Sequence, residues 1–193
     1  MKVIDISDYS ENLEWNAISQ KEDGVIVKIS EGRTPASLFT SHMDDIHTFG
    51  MPWGVYCVSH ATNTERAVDE ADVVIDMLND IGTPPLYIWY DIEPFLSDEL
   101  SAEDLTAIAS AFVVECNENG YDCGIYGNYT SLNKLNTNEL DTYVPYWAAE
   151  PGNSHCYFKD ENPHLNVKMW QYEFDNNDYG GVVDKNIWWS EDE

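Results

Sequence analysis

Short apolar runs with strand character recur along this chain with helical patterns between them, and that alternation restricts the fold more than any other feature. The first run is Val3-Ile4-Asp5-Ile6-Ser7, and a helical stretch through Leu13 and Ile18 leads to Gly24-Val25-Ile26-Val27-Lys28-Ile29-Ser30. A second helix over about 38–49 precedes Trp53-Gly54-Val55-Tyr56-Cys57-Val58. Between about 64 and 80, Ala67, Ala71, Val74, Ile75 and Leu78 keep the 3.6-residue period of a helix. Gly82-Thr83-Pro84-Pro85 breaks the chain before the next strand, 86–93. Ser101 with Asp104 three positions on marks a helix start, and Gly120 marks its stop. Residues 124–126 read as a strand and 130–135 as a short helix. From residue 143 the rhythm changes: 143–149, 167–174 and 182–188 read as strands joined by loops.

Repeated strand–helix alternation builds a mainly parallel sheet with right-handed crossovers, and eight strand candidates imply closure. A full barrel of eight strand–helix units typically takes about 250 residues, against 193 here. The expected fold is therefore α/β: a trimmed, irregular TIM-like (β/α) barrel of about eight strands, with helices missing in the C-terminal third. No internal repeat, low-complexity tract or linker interrupts 1–193, so a single domain is expected.

The formal net charge of −27 argues against nucleic acid or an anionic membrane as partner, since both require positive charge. No segment approaches 18 apolar residues, and Met-Lys-Val-Ile-Asp lacks the apolar stretch of a signal peptide. Synthesis in the cytoplasm without a signal peptide is expected. Cys57, Cys116, Cys123 and Cys156 show no zinc spacing and are expected as free thiols, with Cys116 and Cys123 the pair able to join under oxidising conditions. Seven Trp, twelve Tyr and six Phe suit a carbohydrate groove, although most single rings belong in a core.

In a parallel barrel, functional groups collect at the C-terminal ends of strands. Asp91 and Glu93 end the fourth strand, and their i, i+2 spacing points both side chains to one face with Cα atoms roughly 6–7 Å apart. Carboxylates that close raise each other's proton affinity, so one can stay protonated beside an ionised partner. Glycosidic cleavage needs that combination. Asp5 lies inside the apolar first strand and Asp184 inside the last, and a buried carboxylate needs a partner or a role. First and last strands are neighbours in a closed barrel, so these two can meet. Asp175-Asn176-Asn177-Asp178-Tyr179-Gly180 starts like a calcium loop but has Asn186 where the twelfth-position Glu would stand, and reads as a solvated turn. No metal or cofactor is expected.

Taken in order, these segments resemble glycoside hydrolase family 25, the Chalaropsis-type lysozymes. The matching residues are Val3-Ile4-Asp5-Ile6-Ser7-x-Tyr9, Lys28-x-Ser30-Glu31-Gly32, Gly54-x-Tyr56, Asp91-x-Glu93, Gly124-Ile125-Tyr126, Trp147-x-Ala149, Trp170-Gln171-Tyr172 and Val183-Asp184-x-Asn186. The resemblance implies an N-acetylmuramidase cutting the β-1,4 bond between N-acetylmuramic acid and N-acetylglucosamine in bacterial peptidoglycan. It implies Glu93 as general acid/base, and Asp91 orienting a substrate acetamido group that itself acts as nucleophile. Asp5 and Asp184 resemble the flanking site carboxylates and Tyr56 the site tyrosine, with Tyr126, Trp147 and Trp170 as candidate sugar-contacting rings. Ser10 replaces a common Gln, and Cys57-Val58-Ser59-His60 replaces a more aromatic stretch, which alters one groove wall. Expected alongside are no appended wall-binding module, a monomer, and action on the wall after release, as for a phage or prophage endolysin. Two other readings remain: a non-catalytic glycan-binding barrel, which has no need of a paired acid, and a chitinase-like hydrolase, which carries a longer run of spaced acids than Trp89-Tyr90 supplies.

Overall fold

The computed structural model describes residues 1–92, 99–140 and 143–189. Among these, the strands are β1 (Lys2–Ile6), β2 (Gly24–Glu31), β3 (Thr34–Pro35), β4 (Trp53–Val58), β5 (Ile88–Asp91), β6 (Cys123–Asn128), β7 (Pro145–Ala149), β8 (Asn166–Asn176) and β9 (Val183–Trp188). The helices are α1 (Trp15–Lys21), α2 (Phe39–Phe49), α3 (Thr64–Ile81), α4 (Ala102–Glu118), α5 (Tyr129–Lys134) and α6 (Tyr157–Glu161). The sheet runs β1-β9-β8-β7-β6-β5-β4-β2-β3, and β1 also pairs with β2. Eight strands thus close into a barrel, and β3 is a two-residue antiparallel addition to β2 that the sequence pattern does not announce.

Local signals set the helix ends. Asn63 accepts a hydrogen bond from Arg66 N at the start of α3, and Gly82 ends that helix at φ 74°. Ser101 Oγ accepts from Asp104 N at 3.0 Å and opens α4. Beyond residue 140 the described helical structure is the five-residue α6, as the loop-rich C-terminal third implied.

One direction departs from the parallel pattern. The segment 177–182 between β8 and β9 is too short for a crossover, which takes a dozen or more residues, so β9 returns as a hairpin partner. It is antiparallel to both β8 and β1.

Val3, Ile26, Trp89, Trp147 and Met169 fill the barrel, with Tyr56, Tyr87, Tyr126 and Trp188 packed around them. A larger apolar layer, including Ile4, Val27, Tyr90, Phe112 and Trp170, lies between the outer strand faces and the helices. All four cysteines are buried free thiols, and Cys123 neighbours Cys116. Among the described residues, no helix is long and apolar enough to cross a membrane.

Glycine makes the filled interior possible. Gly124 is paired in register with Trp89, and a Cβ there would sit 2.6 Å from both Trp89 Cζ3 and Pro145 O. Overpacking of this kind costs about 1–3 kcal/mol. Gly124→Ala is expected to lower the unfolding free energy by that amount, read as a lower urea midpoint with an unchanged m-value; a midpoint equal to wild type contradicts the packing described.

Candidate active site

Alternation along each strand decides which side chains reach the barrel mouth. On β5, Trp89 fills the interior and Asp91, two residues on, stands at the strand's C-terminal end. Asp5 follows Val3 in the same way on β1, and Gln171 follows Met169 on β8. Because β9 runs backwards, its first residues are the ones at the mouth, which places Asp184 opposite Asp5 in register. The two acids meet as expected, although Asp184 lies near the beginning of its strand.

Two amides hold the pair. Gln171 Nε2 donates to Asp5 Oδ2 at 2.9 Å and to Asp184 Oδ2 at 3.2 Å, while Tyr126 OH donates to Gln171 Oε1 at 2.6 Å. Asn186 Nδ2 donates to Asp5 Oδ2 at 2.7 Å, and Trp147 Nε1 donates to Asn186 Oδ1 at 2.9 Å. An indole N–H can only donate, so Trp147 fixes which way the Asn186 amide faces. The backbone N–H of Asp175 donates to Asp184 Oδ1 at 2.8 Å.

Electrostatics follow from this enclosure. Burial, then the charge of Asp184, raises the Asp5 carboxyl from 3.8 to about 7, against the lowering effect of the Asn186 and Gln171 bonds. Burial also raises Asp184. The Tyr56 hydroxyl is pushed well above its usual range by burial first, and next by Asp5, Asp91 and Asp184.

Asp91 is buried and lines a cleft of about 340 Å³ with Tyr126, Asn128, Phe174, Asp175 and Asp184. Glu93, the expected acid, lies outside the described residues. Tyr56 and Asp5 line an adjoining hollow of about 220 Å³ that shares Asp175 and Asp184 with the cleft. Asp175 belongs to the end of β8 and faces the cleft, so the segment expected as a solvated turn contributes a wall. No described group of three or more His, Cys, Asp or Glu side chains could hold a metal ion.

The expected sugar-contacting rings divide. Tyr126 lines the cleft, whereas Trp147 is 1% exposed and packs edge-on beneath Tyr126 with ring centroids 4.4 Å apart. Trp170 is not brought to the mouth: it belongs to the outer apolar layer, and its Nε1 donates to Glu150 O at 3.1 Å. Among the described residues, the rings exposed along the groove are Tyr9, Phe174, Tyr129 and Tyr157.

Support for β5 comes from behind. Tyr90 stacks on Phe112 of α4 at 3.9 Å and donates its hydroxyl to Glu70 Oε2 on α3 at 2.7 Å. Glu70 also accepts from His60 N at 3.0 Å, and burial raises its carboxyl. Ser59 N donates to Asp91 O at 2.9 Å. The signal for Glu70 is an acid on the Ala67–Ala71–Val74 stripe of α3; for Gln171 and Asn186 it is a polar residue on an interior strand face.

Asp5 gives the site a defined pH signature. The native state keeps a proton on Asp5 that the unfolded chain releases above about pH 4. Its contribution to stability is fully present below that pH and is lost as pH rises through about 7. Between pH 4 and 8, the stability of Asp5→Asn relative to wild type should therefore rise by roughly 3–4 kcal/mol, read from urea unfolding at each pH. Parallel pH profiles for the two proteins contradict the burial of this carboxyl.

Residues 4–181 match the family model described as Glycosyl hydrolases family 25. Among solved structures, the modular autolysin LytC from Streptococcus pneumoniae superposes with a TM-score of 0.82 at 22% identity, over 97% of this chain and 46% of that one. The present chain thus spans less than half the length of that autolysin. The catalytic domain of an endolysin from a bacteriophage of Listeria monocytogenes gives 0.79 at 19% identity, covering 100% of this chain and 94% of that one. A bacterial lysozyme from Streptomyces coelicolor gives 0.80 at 19%, over 98% and 92% respectively. No curated protein sequence matches. At these identities the structures share the fold, and the family rests on the model match over nearly the whole barrel: this chain belongs to glycosyl hydrolases family 25.

Proposed function

We propose that this chain is a lysozyme-type N-acetylmuramidase that hydrolyses the β-1,4 bond between N-acetylmuramic acid and N-acetylglucosamine in bacterial peptidoglycan. The observation that carries the reading is Asp91 at the C-terminal end of β5, buried at the mouth beside a cleft it shares with Asp184, and two residues ahead of Glu93. Family membership supports it, as does the fold shared with a bacterial lysozyme and an endolysin catalytic domain.

In this reading Glu93 protonates the glycosidic oxygen as the C–O bond breaks. Asp91 accepts a hydrogen bond from the N–H of the substrate's acetamido group and turns its carbonyl oxygen onto the anomeric carbon. That oxygen forms the new bond, giving a cyclic oxazolinium ion whose charge Asp91 offsets. Water then attacks the same carbon, Glu93 takes its proton, and the acetamido group is restored. Asp5 and Asp184, held by Gln171 and Asn186, shape the adjoining wall. The protein works as a monomer on glycan strands, reaching the wall after release through holin-type lesions, by lysis or by another export route.

Glu93→Gln keeps the shape and removes the transferable proton, so hydrolysis should fall by about 10²–10⁴-fold with the circular dichroism of wild type. Mass spectrometry of wild-type wall digests should find muramic acid at the new reducing ends. Near-wild-type activity in folded Glu93→Gln, or reducing ends on N-acetylglucosamine, overturns the assignment.

A further inference from the structure

Past the cleft that holds Asp91, the groove opens into a third hollow of about 450 Å³ lined by Asn128, Tyr129, Thr130, Asn153, Tyr157 and Glu161, among others. It shares Asn128 and Ala149 with the cleft, so the two are continuous. The hydrolytic chemistry uses none of its side chains. Tyr129 and Tyr157 remain 38% and 41% exposed there, and large rings left in water on a built wall mark a contact surface.

The wall is built to hold those rings in place. Buried Glu150 accepts from Tyr157 N at 3.2 Å and Phe158 N at 2.8 Å, which fixes the start of α6. His155 packs against the Tyr157 ring with centroids 4.1 Å apart. Asn128 Oδ1 accepts from Ser131 N at 2.8 Å and sets the start of α5, where Tyr129 sits. The Tyr129 hydroxyl donates to Glu161 of α6. Rings held this way lose little freedom when a ligand stacks on them.

Charge narrows the ligand. None of the lining residues is Lys or Arg, and the two carboxylates present, Glu150 and Glu161, repel an anion. Both Glu150 oxygens and Glu161 Oε2 already accept protein hydrogen bonds, which ties these carboxylates to the wall. An uncharged, flat-faced group carrying hydroxyls and amides fits rings, a threonine hydroxyl and an asparagine amide together.

We propose that this hollow is a distal subsite that holds an uncharged pyranose ring of the glycan strand, away from the cleaved bond, by stacking on Tyr157 and Tyr129. It rests on the muramidase reading for its glycan, and it makes the protein selective for longer strands.

Peptide-free glycan strands of one to four disaccharide repeats test this, with wild type, Tyr157→Ala, Tyr157→Phe and Tyr129→Ala. Wild-type kcat/KM should rise with length through KM. Tyr157→Ala should cut the long-to-short ratio about tenfold, the effect of losing roughly 50–60 Å² of apolar contact. Tyr157→Phe keeps the ring and should keep the ratio; Tyr129→Ala gives the second reading should Tyr157→Ala fail to fold. A ratio unchanged in the alanine variants, or an equal loss at every length, overturns the subsite. Strands that wild type leaves uncut would refute the muramidase reading alone. Isothermal titration of those strands then decides the subsite, which stands if Tyr157→Ala weakens binding and falls if it does not.

Discussion

Everything at the mouth of this barrel depends on how β9 closes it. A strand entering antiparallel between β8 and β1 brings its beginning to the face where the parallel strands end. Asp184 thereby faces Asp5, and two residues later Asn186 turns inward with its amide between Asp5 and Trp147. A parallel eighth strand with this sequence would send Asp184 to the opposite end. The short 177–182 connection is therefore a functional constraint as much as a topological one.

Enclosing carboxylates in a filled barrel is costly unless their lone pairs find donors. The bonds from Gln171 and Asn186 meet part of that cost at Asp5, and burial with the neighbouring Asp184 charge still wins, leaving the carboxyl near 7. Trp147 from the barrel interior and Tyr126 at the cleft orient the two amides, each acting as a hydrogen-bond donor to a residue that holds the acids. Behind β5, the Tyr90–Glu70 bond and the Tyr90–Phe112 stack tie the Asp91 strand to α3 and α4. The groove that runs across this mouth carries no lysine or arginine among its described lining residues, consistent with a chain of net charge −27. Those described lining residues offer a ligand rings, amides, hydroxyls and carboxylates instead.

Most of the barrel was legible in the sequence because strand and helix periods differ and each run carries its own stop signals. Asp5, Asp91 and Asp184 stood out as acids in apolar strands, and the structure brings all three to one face. The antiparallel direction of β9 was not anticipated, because alternation reports a strand without its direction; the short 177–182 connection is what imposes it. Rings were the weak point. Trp147 and Trp170 sit mid-strand, where a side chain is committed to the interior or the outer layer, while Tyr9, Tyr129 and Tyr157 sit at strand exits and helix starts and stay exposed. Placement within an element, rather than ring type, separates a stacking surface from a core. Gln171, Asn186 and Glu70 went unassigned because a polar residue on a buried face shows that a partner exists without saying which.

The amide-held acid pair is tested most directly by a carbon-detected NMR titration of the Asp5 and Asp184 carboxyls in wild type and in Gln171→Leu. The account predicts an Asp5 midpoint of about 7 in wild type, with Asp184 also above its ordinary value. Loss of the Gln171 bond, which favours the charged form, should move Asp5 higher still. An Asp5 carboxyl that titrates near 3.8, or one that does not respond to Gln171→Leu, would contradict it.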